Sequence, residues 1–122
     1  MSKKLWIKKN LKKGELYAGL ILGKNGAPDH HLVLLPGQAN DVDWKAARAW
    51  ATKAGGELPT RREQSLLFAN LKEEFEERWY WSAELSAPGS GYAWCQDFGD
   101  GGQGYSYLGD KLRARAVRRL SV

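Results

Sequence analysis

Residues 80–84 read YWSAE, and residues 91–120 read GYAWCQDFGDGGQGYSYLGDKLRARAVRRL. Tyr92, Trp94 and Phe98 fall on one phase of a two-residue period, and Ala93, Cys95 and Asp97 on the other. That alternation predicts a strand with one aromatic face and one small face. The glycine-rich run Gly99-Asp100-Gly101-Gly102-Gln103-Gly104 predicts a turn, because glycine reaches positive φ cheaply. Tyr105 and Tyr107 resume the period, and Leu112 to Leu120 reads as one more strand carrying Arg113, Arg115, Arg118 and Arg119. Pairing across the turn is expected to bring Phe98 near Tyr105, and Trp94 or Gln96 near Tyr107. The C-terminal third therefore reads as an antiparallel meander on which the rest of the chain packs.

Working back from that meander, Leu16 to Leu22 and His30 to Leu35 read as a hairpin joined by the turn GKNGAPD and ended by Pro36-Gly37. Asp41 or Asp43 can cap a helix from Trp44 to Ala54, with Trp44, Ala47, Ala51 and Ala54 on one face and Gly55-Gly56 at its end. Thr60 and Glu63 form a capping box in the sequence TRRE, opening a second helix from Arg61 to about Glu77. Trp44, Trp50, Phe68 and Leu71 are expected in the core. The result is an α+β domain, with two helices packed on one twisted antiparallel sheet. Residues 1–13 form a lysine-rich N-terminal segment, expected to fray; residues 14–122 form the single domain.

A chain of 122 residues is long enough for one core. No apolar run approaches the roughly 18 residues of a membrane span, and no apolar segment behind the N-terminal lysines suggests a secretion signal. The single cysteine, Cys95, leaves no internal disulfide and points to a reducing compartment, the cytoplasm. It reads as a small buried side chain. The net charge of +5 gathers at the two ends: Lys3, Lys4, Lys8, Lys9, Lys12 and Lys13 at one, and the four arginines at the other. Glu73, Glu74, Glu76 and Glu77 balance the middle. The basic ends can either attract nucleic acid or pair with those glutamates.

Four stretches taken together, ELPTRREQSLLFANL (57–71), WYWSAE (79–84), YAWCQDFGDGGQGYSY (92–107) and LRARAVRRL (112–120), resemble the Lcl C-terminal-type domain. That family has a C-type-lectin-like fold and occurs in bacterial and phage or prophage proteins. The resemblance covers about residues 32–120. It implies that the first and last strands lie side by side and that the region matching Tyr92 to Tyr107 presents side chains to ligands. It does not name the ligand, since such scaffolds host unrelated binding activities.

Chemistry for catalysis is sparse in this chain. His30 and His31 are adjacent on a strand and so face opposite ways, with no recognisable nucleophile motif beside them; they read as turn or edge residues. Asp97, Asp100 and Asp110 lie near the glycine-rich loop, but the sugar- and calcium-binding motifs of lectins are reduced to a faint Trp94-Cys95-Gln96-Asp97. No catalytic residue, metal site or cofactor is expected. What stands out is a binding face of aromatic and short polar side chains, the composition of a paratope: Tyr92, Trp94, Gln96, Asp97, Asp100, Gln103, Tyr105 and Tyr107. The expected function is recognition of a protein partner. The alternatives are weak nucleic-acid binding through the basic termini, with Arg113, Arg115, Arg118 and Arg119 as a secondary basic surface, and carbohydrate or glycosaminoglycan binding.

Overall fold

The computed structural model describes residues 2–122. It is an α+β fold of three α-helices and two sheets. Strand β1 (Leu16–Ile21) pairs antiparallel with β2 (His30–Leu34). After β3 (Ala39–Val42) come helices α2 (Trp44–Lys53) and α3 (Arg61–Leu71), preceded at the N-terminus by α1 (Lys3–Asn10). The remaining strands are β4 (Trp79–Leu85), β5 (Tyr92–Asp97), β6 (Gln103–Tyr107), β7 (Leu112–Ala114) and β8 (Val117–Ser121). One sheet has the order β1-β2-β8 and the other β3-β7-β4-β5-β6.

The expected single antiparallel sheet is two sheets, and in the larger one β7 runs parallel to β4. Three other expectations change. The run from Leu112 to Leu120 is two strands in two different sheets, not one. Between them Arg115 is buried, and its guanidinium donates to the Leu35 carbonyl at 3.1 Å and to the Glu74 carbonyl. A buried guanidinium needs such acceptors, and meeting them pulls the chain across from one sheet to the other. Secondly, the first and last strands are not neighbours: β2 lies between β1 and β8. Thirdly, the N-terminal segment is helical. Ser2 caps α1 by accepting from the Leu5 N–H at 3.2 Å, and the Trp6 ring packs 4.3 Å from His31 and 5.0 Å from Tyr17. That aromatic contact docks a helix with no apolar stripe.

The helix signals in the sequence hold. Asp43, not Asp41, caps α2, accepting from the Ala46 N–H at 2.8 Å. Thr60 and Glu63 cap α3 reciprocally: the Thr60 hydroxyl accepts from the Glu63 N–H and the Glu63 carboxylate from the Thr60 N–H. The helix stops at Leu71, short of the expected end near Glu77, and a single tighter turn over Lys72–Glu74 follows it.

Alternation along β4 feeds two cores. Trp81 enters one with Ala47, Ala51, Ala93, Cys95 and Ala114. Tyr80 enters the other with Leu32, Leu34, Leu67, Phe98 and Val117. The alanines let α2 lie close to the sheet. Trp44, Trp50, Phe68 and Leu71, expected inside, are only half-buried at the rims of these cores. No helix among the described residues is long and apolar enough to cross a membrane.

Candidate protein-interaction surface

The β5–β6 hairpin turns where the glycines predicted. Asp97 N–H donates to the Gly102 carbonyl at 2.9 Å, and Gly101 N–H to the Asp97 carbonyl at 2.7 Å. Gly101 sits at φ +86°, a region that suits glycine. The carboxylates of Asp97 and Asp100 accept from Gly99 N–H and Gly102 N–H, each at 2.8 Å. Both predicted site residues are thus employed in building the turn, although Asp100 stays exposed.

The register pairs Tyr92 with Tyr107, Trp94 with Tyr105, and Gln96 with Gln103. It differs from the expected one because the turn begins at Phe98. Phe98 leaves the strand and stacks on Phe75 in the core, ring centres 4.0 Å apart. All six paired side chains share one face of the hairpin, and α3 decides which of them meet solvent. Its first turns cover one end. There Gln103 donates to the Arg61 carbonyl at 2.8 Å and to the Gln96 side chain at 2.7 Å, while Gln96 donates to the Gln64 carbonyl at 3.3 Å. Gln96 is therefore buried and cannot touch a partner, contrary to expectation. Gln103 is half-buried beside it.

Beyond the start of α3 the face is open. Tyr92, Tyr105 and Tyr107 are 46%, 59% and 57% exposed, and Trp94 is half-buried. Their rings meet edge to face at 5.2–6.1 Å: Tyr92 against both tyrosines of β6, and Trp94 against Tyr105. Arg61 lies over the Trp94 ring, its guanidinium carbon 3.5 Å from the ring centre. The Arg61 Nε–H donates to Gln103, and the backbone N–H to Glu84. This places a cation over the face of the indole. Sequence reasoning missed Arg61 because nothing in a strand pattern tells where a helix will dock. The product is a contiguous patch of four aromatic rings in edge-to-face contact.

The four C-terminal arginines do not form a basic surface. Arg113 pairs with Glu76 at 2.9 Å. Arg115 is buried. Arg118 holds both oxygens of Glu15 at 2.7 and 2.8 Å. Arg119 holds both oxygens of Glu63, at 2.7 and 2.8 Å, and reaches Glu57 at 2.7 Å. Of the Glu73–Glu77 cluster only Glu76 supplies a carboxylate to them; the others come from distant positions. Uncompensated positive charge is left on the exposed lysines of α1 and on Lys12 and Lys13, which form no ion pair among the described residues.

The histidines face opposite ways as expected, but they lie on the central strand of their sheet, not at an edge. His30 Nε2 contacts the Glu63 carboxylate at 2.7 Å, and His31 Nδ1 contacts the Tyr17 hydroxyl at 2.7 Å. Cys95 is buried on the small face, and burial pushes its thiol above the usual range. No cluster of three or more His, Cys, Asp or Glu side chains among the described residues is placed to hold a metal ion. No protein-family model matches the chain, and no curated protein matches it.

Proposed function

We propose that this chain is a non-enzymatic binding module with a C-type-lectin-like fold, similar to the Lcl C-terminal-type domain, that recognises a protein partner through Tyr92, Trp94, Tyr105 and Tyr107. The observation carrying this reading is that three tyrosines stand about half exposed beside a Trp–Arg stack on one uncovered sheet face. Single exposed aromatics are ordinary, but a contiguous cluster marks an interaction site. Rigid aromatics concentrate binding energy in protein interfaces. The phage or prophage origin suggested by the motif resemblance and the reducing compartment suggested by the lone cysteine belong to the same proposal.

The test is affinity capture from host lysate with and without nuclease, followed by titration of the captured protein. Tyr105→Ala and Tyr107→Ala should each weaken binding by about 1–4 kcal/mol while melting like wild type. Capture by both variants at wild-type strength would move the site elsewhere.

A second reading, nucleic-acid binding, rests on the exposed lysines of α1, which form no ion pair among the described residues. Neutralising Lys3, Lys4, Lys8 and Lys9 to glutamine should flatten the salt dependence of whatever weak binding to duplex DNA or RNA exists. An unchanged slope would remove α1 from that role, and no binding at low salt would remove the class.

A further inference from the structure

The hairpin that carries the aromatic face also ends its sheet. In the order β3-β7-β4-β5-β6, the strand β6 has a partner on one side only. Gly91 accepts from the Leu108 N–H, and Asp97 donates to Gly102, each at 2.9 Å. In an antiparallel ladder these bonds alternate. Given the observed register, Gly104 and Ser106 must point their backbone groups toward β5, and Gln103, Tyr105 and Tyr107 must point theirs away from it. The Tyr107 carbonyl accepts from Asp110 N–H at 2.9 Å. The N–H groups of Gln103, Tyr105 and Tyr107 and the carbonyls of Gln103 and Tyr105 are left at the open edge.

Edges of this kind are normally blunted by charge, proline, a bulge or a cover. The chain does so elsewhere. At the opposite end of the same sheet, β3 has an irregular register and Asp41 sits at φ +50°. In the other sheet β8 carries Arg118 and Arg119, and the outer strand β1 gives its Ala18 carbonyl to Asn70 of α3 at 2.6 Å. The sequence of β6, QGYSY, has no charge and no proline.

We infer that β6 accepts an extended segment of the partner protein as an added strand. The inference rests on the protein-binding reading above and specifies its mode. Successive side chains of an added strand point to opposite faces. One set would lie on Tyr105 and Tyr107. The other would lie over Gly104 and Ser106, where Trp79, Cys95 and Leu112 line a hollow of about 160 Å³. The segment this fits alternates large apolar or aromatic side chains with small ones. A second copy of the chain fits worse. Five residues extend only about 17 Å, and pairing two such edges falls well short of the roughly 1,200 Å² that stable interfaces bury. A second rigid hairpin cannot bend onto both faces, and a flexible segment can.

The probe is a set of peptides selected from a random dodecapeptide display library on the immobilised full chain. Methylating peptide amide nitrogens one at a time should weaken binding about tenfold at every second position and little in between, as loss of ladder hydrogen bonds requires. Tyr107→Pro removes an outward N–H and spares the β5 ladder, a position where proline is tolerated. It should bind about tenfold more weakly than Tyr107→Ala. If Tyr107→Pro does not fold, the methylation scan decides alone. Failure to select peptides, or methylation tolerated throughout, overturns the inference. Peptides that tolerate methylation but lose affinity for Tyr105→Ala leave the aromatic face standing and the edge refuted. Peptides with the two-residue methylation pattern that ignore both alanine variants leave the edge standing and the aromatic face refuted. Concentration-dependent self-association with slowed amide exchange at Tyr105 and Tyr107 would give the edge to a second copy and overturn the inference.

Discussion

Trp81→Ala should lower the unfolding free energy by about 3–5 kcal/mol, the range for emptying a large aromatic site in a packed core. Trp81 is the largest fully buried side chain, and it fills the space between the sheet and the alanine face of α2. Alanines at positions 47 and 51 cannot expand to refill that space, so most of the cavity persists. The indole also donates to the Val42 carbonyl at 2.9 Å, tying β3 to the middle of its sheet. Trp81→Phe keeps much of the bulk but removes that donor, and should cost about 1–3 kcal/mol with faster amide exchange along Ala39–Val42. Against a total stability of about 5–15 kcal/mol for a small domain, the alanine variant should be close to unfolding in mild urea. Urea titration measures both. Wild-type-like unfolding of Trp81→Ala would mean that Trp81 does not fill the core between the sheet and α2. Trp50→Ala, at the rim, should cost less than Trp81→Ala.

The features legible in the sequence are those encoded by neighbours in the chain. Thr60 and Glu63 are three residues apart, and the reciprocal cap they predict is present. Tyr92 and Trp94 share a phase, and they share a face. What was not legible depends on distant partners. Arg115 looks like its neighbours in the R-x-R pattern, and only the carbonyls of Leu35 and Glu74 turn it into a break between sheets. Gln96 belongs to the aromatic phase and is buried only because Gln64 and Gln103 meet it from other elements. The helix α1 carries no periodic apolar signal, and its anchor, Trp6, finds Tyr17 and His31 on the sheet surface. The site shows the same division: local alternation marks its aromatics, while Arg61, the cation stacked on Trp94, arrives with α3.

Glu63→Ala should destabilise the protein by about 3–5 kcal/mol near neutral pH, the cost of breaking a buried ion pair from one side. Glu63 is 1% exposed. Burial alone would push its carboxyl up. The hydrogen bonds from Arg119 and from the Thr60 N–H, the Arg119 charge and the contact with His30 together outweigh burial and hold it below the usual carboxylate range. Removing it leaves the half-buried Arg119 with the exposed Glu57 as its carboxylate, deprives His30 of its partner, and leaves one side of the α3 cap unmade. Glu63→Gln is the sharper probe, because glutamine can still accept from the Thr60 N–H but carries no charge. The sign follows from the depressed value. A carboxyl more acidic in the folded state than in the unfolded chain stabilises the fold above its unfolded pKa, near 4.3, and that stabilisation is lost as pH falls through the lower folded value. The difference between wild type and Glu63→Gln should therefore be largest at neutral pH and shrink below about pH 4. Unfolding titrations at a series of pH values measure it. A gap of constant size down to pH 3 would mean that Glu63 acts through its shape and hydrogen bonding, not through its charge.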